Sequence, residues 1–182
     1  MTSPEINIDP TIAGSVVGTY WFLMMIGRLC GASIGAKVSS RAMLTVVSTV
    51  GIALVLGAIF CADNILVNMP VFKSDISFGF AQVPVNVMLL ILCGLCTSVM
   101  WGGIFNLAVE GLGKYTAAAS GLFMVMVCGG GILPLIQGGV ADFAGFLNSY
   151  WVIALGLAYI LFYAAIGSKN VNTDIPTDDY EA

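Results

Sequence analysis

Histidine is absent from this sequence. Its absence removes His-based general acid–base catalysis, imidazole metal ligation and any Ser-His-Asp triad. Charge is scarce as well. Asp, Glu, Lys and Arg make up 9% of 182 residues, where a soluble domain carries about 25%. With 59% hydrophobic residues and a mean hydropathy of +0.99, that deficit excludes an ordinary water-soluble domain. It also excludes overall disorder, which needs low hydrophobicity and high net charge. Six basic against ten acidic residues leave a net charge of −4, the wrong sign for a nucleic-acid partner. No basic n-region opens the chain: "MTSPEINIDPTIAG" is polar, so no cleavable signal peptide is visible.

What the sequence has instead is long apolar runs between isolated charges: 10–27, 42–62, 76–109, 115–141 and 143–168. About 20 apolar residues cross a hydrocarbon core as a helix. The runs are continuous rather than alternating, which disfavours barrel strands. The expectation is an all-α integral membrane protein with the lipid bilayer as its solvent. Its five spans fall at about 12–35, 42–61, 85–109, 115–140 and 149–167. Residues 1–11 precede them, 62–84 form a loop, and 168–182 are an acidic tail. The cations set the orientation. Lys37 and Arg41, Lys114, and Lys169 fall in alternate connections, which the positive-inside rule assigns to the cytoplasm. The loop 62–84, with Asp63, Lys73 and Asp75, and the turn near Asp142 are then outside. Five spans put the N-terminus outside and the C-terminus in the cytoplasm. A polar N-terminus outside without a signal implies a helix upstream of Thr2, and so a chain that is part of something larger.

Glycine patterning suggests how the spans pack. Gly27, Gly31 and Gly35 recur every four residues in span one, with Gly14 and Gly18 repeating the pattern at its outer end. Small residues at this spacing let helix backbones approach closely. Span four holds Gly129, Gly130 and Gly131 followed by Pro134. Such a stretch weakens a helix and frees a carbonyl, which must find a partner or face a water-filled cavity. The segment is therefore a hinge candidate, either beside a polar cavity or serving packing alone.

Polar residues inside spans are the functional candidates. Arg28 lies roughly 13 Å deeper than Lys37 along a helix, and Glu110 ends span three on the same side. An Arg28–Glu110 ion pair, or a water-linked version of it, is expected, either as a gate or as a permanent bridge. Trp101 sits mid-span, away from the interfaces that Trp favours, and its N–H needs a partner. Asn106 stands one turn before Glu110, and Gln137 follows the Gly-Pro break. Trp101, Asn106 and Gln137 could stack on and hydrogen-bond a polyol, or bond neighbouring helices. Tyr115, Tyr150 and Trp151 read as interfacial belt residues. Cys93 and Cys96 form a CxxC inside an apolar helix, where free Cys behaves as a small hydrophobe. With Cys30, Cys61 and Cys128 they suggest no disulfide framework, and no cofactor or metal site is expected. A membrane thiol oxidoreductase would need a second cysteine pair in an outside loop, and only Cys61 lies near one.

The stretches "IGRLCGASIGAKVSSRAML", "GGIFNLAVEGLGKYTAAASG", "GGGILPLIQGGVADFAG" and "SYWVIALGLAYILFYA", in this order, resemble the fucose:proton symporter family of the major facilitator superfamily. This family includes bacterial glucose/galactose and fucose permeases. The resemblance covers about residues 14–167. It implies that the five spans correspond to helices 8–12 of a twelve-helix transporter, with seven N-terminal helices supplied elsewhere or lost. It implies a sugar transporter working by proton symport and alternating access, with no enzymatic activity, in a bacterial inner membrane. Its partners would be a monosaccharide and protons. Trp101 then falls at a cavity-lining position, while the family's proton-linked carboxylates lie in the N-terminal half. The alternative is a non-catalytic five-helix membrane subunit that assembles with a partner chain.

Overall fold

The computed structural model describes residues 10–61, 65–72 and 77–169. Asp63, Lys73, Asp75 and the acidic tail beyond Lys169 lie outside the described residues. Among the described residues six helices run α1 (Pro10–Gly35), α2 (Ser40–Phe60), α3 (Val85–Val109), α4 (Thr116–Met126), α5 (Gly129–Ala144) and α6 (Tyr150–Phe162). A π-helical turn, Tyr163–Gly167, prolongs α6, and a 3-10 turn, Gly113–Tyr115, leads into α4. With α4 and α5 counted together, five segments among the described residues are long and apolar enough to cross a membrane.

The tightest packing joins α1 to α3, and glycine makes it possible. A Cβ built on Gly27 would collide with the Ser98 side chain and come within 3.0 Å of the Leu95 carbonyl oxygen. One built on Gly31 would lie 2.7 Å from Val99 Cγ2. The approach is reciprocal, since a Cβ on Gly94 of α3 would sit 2.9 Å from the Tyr20 ring of α1. The predicted groove is thus real at Gly27 and Gly31. It ends there: the site on Gly35 meets only Met43, at an ordinary 3.7 Å, and nothing lies within 4 Å of the Gly14 site.

Helix α2 buries Leu44, Ser48, Gly51, Val55 and Ala58, a stripe of three- and four-residue steps that forms one helix face. That face packs with Cys93, Cys96, Met100 and Leu107 of α3 and Ala154 and Leu157 of α6 in one apolar core. Ser39 caps α2, its hydroxyl accepting the Ala42 N–H at 3.3 Å. Arg41, in the first turn, reaches across the bundle. Its Nε donates to Ser168 Oγ at 3.2 Å and its Nη2 to the Ser168 carbonyl at 2.9 Å. A guanidinium thus satisfies an orphan acceptor at the end of α6 and its π turn, where a cation also suits the helix dipole.

Two features depart from the expectation. The segment expected as a plain loop contains an antiparallel hairpin, β1 (Leu66–Phe72) and β2 (Phe78–Pro84), in the register Leu66–Pro84 through Phe72–Phe78. Its inner residues Met69, Val71 and Val83 pack with Val16 of α1 and Val87 and Ile91 of α3 in a second apolar core. The break in span four falls at Val127–Cys128, just before the glycine triplet. There the backbone bonds shorten to three-residue steps, from Cys128 N–H to the Val125 carbonyl and from Gly131 N–H to the Cys128 carbonyl. Pro134 lies within α5 without ending it. The helix stops at Gly145, whose φ of 94° is a conformation that side chains with a Cβ rarely adopt.

Candidate functional site

Glycine at positions 31 and 35 of α1 and at 102 and 103 of α3 leaves a cavity of about 740 Å³ between these helices and the start of α2. Its polar lining comes from Arg28, Ser40, Ser98 and Asn106, and its aromatic wall from Trp101. Trp101 is 46% exposed. Its ring meets Phe123 of α4 edge to face at 5.2 Å, and Phe105 meets the same Phe123 at 5.4 Å. Two aromatics one turn apart on α3 therefore grip one on α4, which fixes the indole while leaving a face toward the cavity. A flat aromatic beside fixed hydrogen-bonding groups is an arrangement that can hold a polyol.

Asn106 and Ser40 also border a second cavity, of about 540 Å³, with Ser39, Arg41 and Glu110. Arg28 and Glu110 do not meet as a direct ion pair, so the direct form of the pairing expected from sequence is not formed. The Arg28 side chain is exposed and turns back along its own helix, with Nη2 3.9 Å from Met24 Sδ. Glu110 lies past the last turn of α3, at its C-cap. Asn106, one turn earlier on α3, stands at the border of their two cavities.

Gln137 is not with Trp101 and Asn106. It lines a separate cavity of about 350 Å³ with Tyr20, Thr97, Cys93 and Tyr150. There Thr97 Oγ1 donates to the Gly94 carbonyl at 3.2 Å. That hydroxyl has one proton, so the 3.3 Å contact between Tyr20 and Thr97 has the tyrosine O–H donating. The sequence reading missed Tyr20 and Thr97, though the mid-span position that singled out Trp101 also applies to Tyr20. The hinge candidates Gly129, Gly130 and Gly131 face open space, with nothing within 4 Å of their Cβ sites. Cys93 and Cys96 are buried in the core shared with α2 and α6, and all five cysteines are free.

The fold and the cavities define a polytopic α-helical membrane protein. The chain is 30% identical over 169 residues to the glucose/galactose transporter of Brucella abortus biovar 1, covering 89% of this chain and 36% of that protein. It is 33% identical over 92 residues to the L-fucose-proton symporter of Escherichia coli K12, covering 50% of this chain and 21% of that protein. The chain is thus similar to the C-terminal part of bacterial sugar transporters. It spans about a third of the length of the Brucella transporter. No family profile and no solved structure matches it.

Proposed function

We propose that this chain forms the C-terminal part of a secondary active sugar carrier of the hexose or fucose type, running by proton symport and alternating access. The observation that carries the reading is the cavity between α1 and α3. Trp101 offers a stacking surface, and Arg28 and Asn106 offer hydrogen bonds inside the spans, where polar groups are costly unless used, with Ser40 at the cavity's cytoplasmic end. The cavity is open on one side. The part of the relatives that this chain does not match, seven helices by the family pattern, would supply the opposite wall and the proton-linked carboxylates. Gln137 would serve the separate cavity it shares with Tyr20 and Thr97, and the Val127–Gly131 break would let α5 tilt against α4. The chain would perform no catalysis. It would lie in a bacterial inner membrane, with Arg41, Lys114 and Lys169 in the cytoplasm and the hairpin end outside.

The test is uptake of labelled glucose, galactose and fucose by proteoliposomes. They would hold a chimera joining the unmatched part of the Brucella transporter to this chain. Uptake that is driven by a proton gradient and lost in Trp101→Ala supports the reading. Uptake of none of the three sugars by a folded chimera refutes it. In that case a second reading, a non-catalytic subunit docking through the uncovered faces of α4 and α5, takes its place, since neither helix buries a residue.

A further inference from the structure

The β1–β2 hairpin is unusual beside a helical bundle, and its two faces differ. The inner face packs onto α1 and α3. The Phe72 N–H donates to Thr19 Oγ1 at 2.8 Å, and Phe22 of α1 stacks on Phe72 at 5.2 Å. The outer face carries Asn68 opposite Gln82 near the base and Pro70 opposite Phe80 further along, while Phe72 and Phe78, paired at the turn end, both also touch Phe22, Phe78 edge to face at 5.5 Å. Phe78 is 66% and Phe80 80% exposed. Phe80 and the uncovered side of Phe78, on a fixed scaffold, need an apolar contact.

Three observations choose the contact. Neither strand carries a charge. Thr19, which holds the hairpin, and Arg28, which lines the large cavity, are nine residues apart, about two and a half turns. They therefore lie on opposite faces of α1, and the hairpin sits away from the cavity. Flanking Phe22 on the same helix, Met25 and Leu29, both more than half exposed, continue the apolar surface. A two-stranded hairpin also leaves its outer edges unpaired, which the hydrocarbon core does not tolerate but a hydrated headgroup layer does.

We propose that the open face of this hairpin rests in the interfacial layer of the bilayer, with Phe78 and Phe80 pressed against lipid, so that the hairpin ties that end of α1 to the membrane surface. The proposal rests on the bundle lying in a bilayer but not on which sugar it carries. It is tested with the photoreactive residue p-benzoylphenylalanine, placed singly at Phe80, Phe78, Val83 or Leu155 in the full chain. The samples are proteoliposomes of phosphatidylethanolamine and phosphatidylglycerol with labelled acyl chains. Val83 is fully buried beneath the hairpin, and Leu155 is 70% exposed on α6. After irradiation, lipid adducts at positions 80 and 78 that exceed those at 83 several-fold and match those at 155 support the proposal. Adducts at 155 without any at 80 or 78 overturn it while leaving the bilayer reading intact, as do cross-links from 80 to a second copy of the chain. No adduct at any position overturns both.

Discussion

Gly27 and Gly31 decide how near α1 comes to α3. A side chain at either would push into Ser98 or Val99, and overpacking of a close contact costs about 1–3 kcal/mol. Gly31→Leu is therefore expected to lower the unfolding temperature in detergent. Gly138→Ala, at a site with nothing within 4 Å, is expected to leave it unchanged or raise it. Equal losses in both variants would refute the packing account. Arg41 acts at the same scale. Its partly buried bonds to Ser168 make Arg41→Ala expected to cost about 1 kcal/mol, read as faster proteolysis after α6, with Arg41→Lys recovering only part. The charge pattern marked Arg41 as a topology signal. That it also caps the far end of the last helix depends on a separation of 127 residues, which no local pattern encodes.

At the scale of the helix, α3 and the α4–α5 pair behave differently. Helix α3 packs against α1 and α2, and buries Cys93 and Cys96 in the core that α2 shares with α6. A small maleimide is thus expected to label Cys30 and Cys128, both exposed, well before the CxxC pair. Fast labelling of Cys93 and Cys96 would show that α3 is not held as described. Helices α4 and α5 bury nothing and are joined through a stretch of shortened bonds. Replacing Gly129, Gly130 and Gly131 by alanine removes roughly 0.5–1 kcal/mol of helix penalty per position. The variant should show slower amide exchange across Val127–Gly131, and slower sugar uptake in the chimera if this hinge moves during transport. The glycine triplet and Pro134 were visible as a weak point in the sequence. Only the structure places the break ahead of the glycines and leaves Pro134 inside a continuous helix, because freed carbonyls can be re-bonded locally at three-residue spacing.

For the whole molecule, the bundle has one covered side and one bare side. Leu122, Val125, Met126, Leu135 and Phe143 on α4 and α5 are all more than half exposed. The large cavity, lined by α1, α2 and α3, has only part of a wall around it. This chain alone in proteoliposomes is accordingly expected to give no sugar uptake above empty vesicles, and the chimera to restore it. Uptake by the chain alone would mean that one half of the fold makes a complete path.

Five membrane-length segments follow from the sequence by itself, because each must be apolar along its whole length to replace water with lipid. The sequence also showed the close-packing glycines of α1 and the oddity of Trp101. The tertiary structure decided which of these features meet. It put Gln137 in a different cavity from Trp101, separated Arg28 from Glu110, and folded residues 66–84 into a hairpin against α1. Each of these depends on helix rotation and on contacts between distant segments, and the uniform hydrophobicity that betrays a membrane span carries little record of which way it faces.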